Sequence, residues 1–219
     1  MKPRTLRFLL LPLLLVAGLC TAAEPTYKVE VDYSAAPDCE AFATKAKVLA
    51  EEWYPKIHEI IFGPEVPLPA KTIRLTFEPM KGVAHASRDG IHISQEWVTK
   101  KAPDDYGMVV HELTHVVQSY KGRNEFWLTE GIADYVRYER YEPGKQKWKF
   151  DPEKSSYKQG YGIAGAFLGW LEKNKNPEVV RKLNTACHEG TYKREMIKEL
   201  CGADADELWA EYTANLAKP

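Results

Sequence analysis

From Pro103 to the C-terminus of this 219-residue chain, apolar residues recur at helical spacing and do not return to alternation. Ahead of that point the pattern is mixed. Tyr27 to Tyr33 and Thr72 to Phe77 alternate as strands do, and Val83 to Ser87 and Ile91 to Ser94 flank the tight Arg88-Asp89-Gly90 turn of a hairpin. Pro37 opens one amphipathic helix through Phe42, Leu49 and Trp53, which Pro55 is expected to kink or end. Residues 64–70 hold three prolines and form a loop. In the second half, Pro103 with Asp104 and Asp105 makes a helix start, because the acids meet the positive end of the helix dipole. That helix should reach Tyr120, with Gly122 as its stop, and others follow near 127–140, 160–174, 177–187, 193–200 and 204–216. Strands first and helices after make an α+β fold. The expectation is a small, mostly antiparallel N-terminal sheet followed by a helical half.

Residues 1–23 have the layout of a secretory signal peptide: Lys2, Arg4 and Arg7, then the apolar stretch Phe8 to Gly18, then the small residues Thr21-Ala22-Ala23. The apolar stretch is shorter than the roughly 20 residues that span a bilayer, so cleavage near Ala23 and export, secreted or periplasmic, are expected. The mature chain, 24–219, would then be one domain without a membrane span, and a monomer is expected. Losing three positive charges takes the formal net charge from -1 to -4. With no basic stripe interleaved with aromatics, nucleic acid is excluded as a partner. Cleavage also removes Cys20, leaving Cys39, Cys187 and Cys201. An oxidising compartment suggests one bridge, Cys187 to Cys201 on neighbouring helices, against an alternative of three free thiols. No CxxC spacing is present, so a metal would have to be held by other residues.

His111-Glu112-Leu113-Thr114-His115 is an HExxH sequence. On a helix, His111 and His115 lie one turn apart on one face and can grip one ion, with Glu112 beside them to take a proton from a metal-activated water. Such a pentapeptide would arise by chance in roughly one or two such chains in a hundred, so it does not carry the site alone. The next helix adds to it. Trp127-Leu128-Thr129-Glu130-Gly131-Ile132-Ala133-Asp134 places two acids four residues apart. A catalytic zinc commonly takes two His and one Glu, leaving its fourth position for water. Glu130 then serves as third ligand, while Asp134 holds His111 from behind. The arrangement with Asp134 as the ligand differs only in helix phase. A metzincin is excluded, because Gln118 and Lys121 stand where it requires Gly and His.

HELTHVVQ at 111–118 with WLTEGIADYVR at 127–137 resembles the basic secretory protein family of plants, whose bacterial relatives are taken as zinc peptidases of the gluzincin type. The likeness extends to EEWYPKI at 51–57, AHASRDGIHIS at 84–94, YKQGYGIAGAFLGWLE at 157–172 and LWAEY at 208–212. This chain departs from the family name in being acidic by count. The resemblance implies a zincin-like fold with one zinc ion, His111, His115 and Glu130 as ligands, Glu112 as general base and Asp134 behind the ligands. It also implies an edge strand above the active-site helix, formed by Ile91 to Ser94 or by Val83 to Ser87. Ala84, His85, Ala86, Ile91, His92 and Ile93 are therefore the candidates for pairing with an extended peptide substrate.

An oxyanion needs a donor beside the metal, and Tyr161, at a helix start, is the candidate; its competing role is helix packing. The remaining histidines read as structural: His85 as solvated, with lining the cleft as its alternative, His92 as exposed or cleft-facing, His58 and His188 without an assignable partner. Gln118, one turn beyond His115, has no assigned role. The sequence thus points to an exported zinc metallopeptidase. The rival is a non-catalytic extracellular protein, stabilised by zinc and binding cell-wall or protein partners in defence, and a zinc hydrolase of non-peptide amides is a third reading. Retention of Glu112 and the lack of a fourth protein ligand favour the enzyme.

Overall fold

In a computed structural model, which describes residues 26–146, 149–151 and 153–216, the chain opens with strand β1 (Tyr27–Asp32) and passes through a turn at Pro37–Cys39 into helix α1 (Glu40–Phe62). The leader expected at 1–23 lies outside the described residues. Helix α1 returns the chain to strand β2 (Lys71–Glu78), which lies parallel to β1 with Tyr27 opposite Lys71. Strands β3 (Ala84–Ala86) and β4 (Ile91–Ser94) form the expected hairpin, with Ala84 opposite Ile93. Strand β4, however, also inserts beside β2 and parallel to it, so the order is β1-β2-β4-β3. The sheet is therefore mixed, with two parallel pairs and one antiparallel pair, and not mostly antiparallel. Helix α1 carries the chain back so that β2 starts at the same end as β1, and β3 runs back opposite to β2, so that β4 starts at the same end as β2 and inserts beside it. Strand β3 is left on one edge.

Alternation in β2 buries Ile73, Leu75 and Phe77, each worth about 1.5–3 kcal/mol of apolar burial. Phe42 of α1 packs against Phe77 at 6.1 Å and stacks on Tyr106 at 4.4 Å, joining the sheet to the helical half. Pro55 does not end α1. Its missing N–H leaves the Glu51 carbonyl without a helical partner, and the Tyr27 hydroxyl from β1 donates to that oxygen at 2.7 Å.

Helix α2 (Tyr106–Gln118) begins three residues after Pro103. Asp105 stands at its N-terminus without capping it, because its carboxylate accepts from Arg137 at 2.6 Å and from the Trp97 indole at 3.1 Å. The helix ends before Gly122: Ser119 turns left-handed at φ 42° and donates its N–H to the His115 carbonyl at 3.1 Å. Helix α3 (Phe126–Tyr135) runs into a π-helical segment at Val136–Tyr141, and α4 (Tyr161–Asn174) packs directly on it. Two glycines allow that approach. A methyl on Gly131 would meet the Ala164 Cβ at 2.8 Å, and one on Gly165 would meet the Tyr135 backbone nitrogen at 2.8 Å.

Helices α5 (Val179–Glu189), α6 (Glu195–Cys201) and α7 (Ala205–Leu216) close the core, each within a few residues of its expected place. Cys187 and Cys201 are not bridged; these two and Cys39 are free thiols. Cys187 faces the core without exposure, and burial pushes its thiol up to about 12. Among the described residues no helix is long and apolar enough to cross a membrane.

Candidate metal centre

Eleven of the thirteen residues of α2 are buried, so the helix is fixed through its length before any ligand is considered. His111 and His115 project from one face, with their Nε2 atoms 3.1 Å apart. Helix α3 crosses beside them and brings one carboxylate oxygen of Glu130 to 3.3 Å from His111 Nε2 and 3.5 Å from His115 Nε2. Three donor atoms from three residues thus form a nearly equilateral triangle, and these residues could hold a metal ion. A tetrahedral ion with bonds of about 2.0–2.1 Å needs donor atoms about 3.3 Å apart, so the triangle fits one. Of the two acids, Glu130 lies beside both Nε2 atoms, while Asp134 lies on the far side of His111.

The other ring nitrogens fix this orientation. His111 Nδ1 is 2.6 Å from Asp134 Oδ1 and donates to it. His115 Nδ1 is 2.7 Å from Gln118 Oε1, and the Gln118 amide donates to the Thr129 carbonyl at 3.0 Å. Because the Gln118 NH2 is committed to a carbonyl, its oxygen must accept from His115, which puts the proton on Nδ1 and the lone pair on Nε2. Sequence reasoning left Gln118 without a role. The signal was its position three residues after His115, on the same helix face.

Charge reinforces the geometry. Burial would depress the His111 imidazole, but hydrogen bonds to Asp134 and Glu130 hold it well above the ordinary histidine range. Burial would likewise raise the Glu130 carboxyl, yet His111 and His115 draw it down to about 2. Glu112, Glu130 and Asp134 set three carboxylates against two imidazoles, a deficit of positive charge that a divalent cation would make good.

These side chains line an open cleft of about 760 Å³. Glu112 is 8% exposed, lines the cleft, and has no hydrogen bond or ion pair among the described residues. Its neighbours Glu130 and Asp134 are both tied, so Glu112 is the carboxylate left with free lone pairs. Tyr161 stands across the cleft, half exposed, with its ring stacked 6.2 Å from the His111 ring and edge-on to Phe126 at 5.5 Å. Its backbone is left-handed at φ 49°, strain that a bulky residue adopts only where its surroundings impose it. Burial and the nearby carboxylates raise its pKa, which keeps the hydroxyl a donor.

The opposite wall is β3. Ala84, His85 and Ala86 line the cleft. Ile91, His92 and Ile93 belong to β4, which is paired on both edges, so these three cannot pair with a substrate strand. His92 is held instead by Glu78 at 2.8 Å and Asp89 at 3.4 Å, with His85 stacked on it. The ladder bonds from Ser94 N–H to the Val83 carbonyl and from Ser87 N–H to the Gly90 carbonyl set the phase of the hairpin. By antiparallel alternation, Val83, His85 and Ser87 turn their backbone groups toward β4, while Ala84 and Ala86 turn theirs to the open edge.

No curated protein and no solved structure matches the chain. A family model described as "Peptidase of plants and bacteria" matches residues 34–212, which takes in α2, α3, β3 and α4. The chain belongs to that family, the basic secretory proteins.

Proposed function

We propose that the chain is an exported zinc metallopeptidase of gluzincin type. The observation that carries the reading is the triangle of His111 Nε2, His115 Nε2 and Glu130 Oε2 beside a carboxylate, Glu112, that makes no hydrogen bond or ion pair among the described residues. Two imidazoles, neutral once a metal displaces the Nε2 proton, and one carboxylate, with room for water on the cleft side, are the donor set of catalytic zinc. Zinc held there would supply a Lewis acid for the scissile carbonyl and a water acidic near neutral pH.

The chain's own residues perform the rest. The edge of β3 takes the extended peptide through the Ala84 and Ala86 backbone, a mode indifferent to side-chain sequence. Glu112 accepts a proton from the attacking water and delivers it to the leaving amine. Tyr161 donates its hydroxyl to the developing oxyanion. Asp134 and Gln118 hold the ligand imidazoles in the one tautomer that leaves both Nε2 atoms free.

Metal analysis by mass spectrometry, paired with casein cleavage, tests this on wild type and Glu112→Gln. One zinc per chain in both, with cleavage reduced about 10²–10⁴-fold in the variant, is the expected outcome. Zinc in both and cleavage in neither would favour a zinc-stabilised binding protein, and no zinc in either would remove the site.

A further inference from the structure

Beside the turns of α2 that carry Val116 and Val117 lies a second cavity, of about 410 Å³, separate from the cleft. That volume suits a small organic ligand. Its walls are apolar and stiff: Tyr54 and Phe62 from α1, Pro67 and Pro69 from the loop after it, and Val116 and Val117.

Polar side chains interrupt those walls: His58, Lys71, His188 and Glu189, with the hydroxyls of Ser119 and Thr185 beside them. His58 is 6% exposed, its ring rests on Phe62 at 5.1 Å, and neither ring nitrogen has a hydrogen-bond partner among the described residues. The residue as a whole is buried, but its nitrogens are not sealed off by protein, and the ring lines the cavity. Lys71, half buried at the start of β2, donates once, to the Val116 carbonyl at 3.2 Å. Its other two N–H groups are uncommitted, and no carboxylate pairs with it among the described residues; burial alone draws its pKa down. Glu189, the one acidic residue lining the cavity among the described residues, is exposed to solvent. His188 donates Nδ1–H to the Gln118 carbonyl at 2.8 Å and stands edge-on to Phe62. An uncompensated ammonium and an unpartnered imidazole inside an apolar enclosure call for a molecule with one anionic end and one apolar body.

We infer that this cavity binds a small amphipathic carboxylate, with its charged group on Lys71 and His58 and its apolar body against the aromatic and proline walls. The site is independent of the catalytic reading, since none of its groups faces the metal cleft.

The test follows the histidine ring-proton NMR signals of the metal-loaded protein, assigned by substitution, during titration with 3-phenylpropanoate. Saturable shifts of the His58 and His188 signals are expected. The uncharged 3-phenylpropanamide and acetate, which lacks the apolar body, should each bind about tenfold more weakly or worse. Lys71→Met should weaken binding about ten- to a hundredfold, and Lys71→Arg should retain it. Should Lys71→Met fail to fold, His58→Leu is expected to weaken binding in the same direction. Shifts confined to His111 and His115 would mean capture by the metal centre and would overturn the inference. So would the absence of saturation, or undiminished binding in both Lys71→Met and His58→Leu.

Discussion

Gln118 holds His115 from one side and the first turn of α3 from the other: its Oε1 lies 2.7 Å from His115 Nδ1, and its Nε2 lies 3.0 Å from the Thr129 carbonyl. One side chain therefore sets the direction of the His115 imidazole and ties its helix to the helix that supplies Glu130. Asp134 does the equivalent for His111. In each case a group on the far side of the imidazole decides where Nε2 points.

Gln118→Leu keeps the volume and removes both hydrogen bonds. Zinc affinity, measured by competition with a chromogenic chelator, should fall about 10–100-fold. Affinity equal to wild type would show that helix packing alone orients His115.

Tyr161→Phe retains the ring that stacks on His111 and deletes the hydroxyl. Zinc content should be unchanged while kcat on a peptide substrate falls about 10²–10³-fold. An unaltered kcat would reduce Tyr161 to a packing residue.

Gly165→Ala places a methyl 2.8 Å from the Tyr135 nitrogen and 2.9 Å from the Asp134 carbonyl carbon, backbone atoms that cannot turn aside. Helix α3 must shift, at a cost of about 1–3 kcal/mol in urea unfolding. Because α3 carries Glu130 and Asp134, zinc affinity should drop with stability. A neutral Gly165→Ala would show that the α3–α4 contact is looser than its geometry.

His58 titrates below the ordinary histidine range, first because it is buried and second because His188 is near. The unfolded chain then binds more protons than the folded one below about pH 6.5, so this group's contribution is full above that pH and is lost as pH falls through the folded pKa. Wild type should lose more unfolding free energy between pH 7.5 and pH 5 than His58→Phe does. Equal losses would mean that the cavity is wet enough to solvate the charged ring.

Periodicity and local chemistry carried much of this protein in the sequence. The α+β layout, the hairpin around Gly90 and every major helix follow from spacing, because amphipathic faces and turn residues act within a few positions of themselves. The helix carrying His111, Glu112 and His115 is equally local, since residues four apart on a helix must share a face. Tertiary structure decided what depends on neighbours distant along the chain. Pro55 stays within α1 because Tyr27, in another element, takes the carbonyl the proline strands. The sheet is mixed because β4 pairs with β2 as well as with β3, a choice made by how the strands are connected and not by alternation. Glu130 rather than Asp134 meets both Nε2 atoms because glycines at 131 and 165 let α3 and α4 close together, which fixes the rotation of α3 over α2. Gln118 acquires its role by the same packing. A sequence states which groups lie on one face of one helix; the angle between two helices, and so which carboxylate reaches a shared point, belongs to side chains packing at close range across the core.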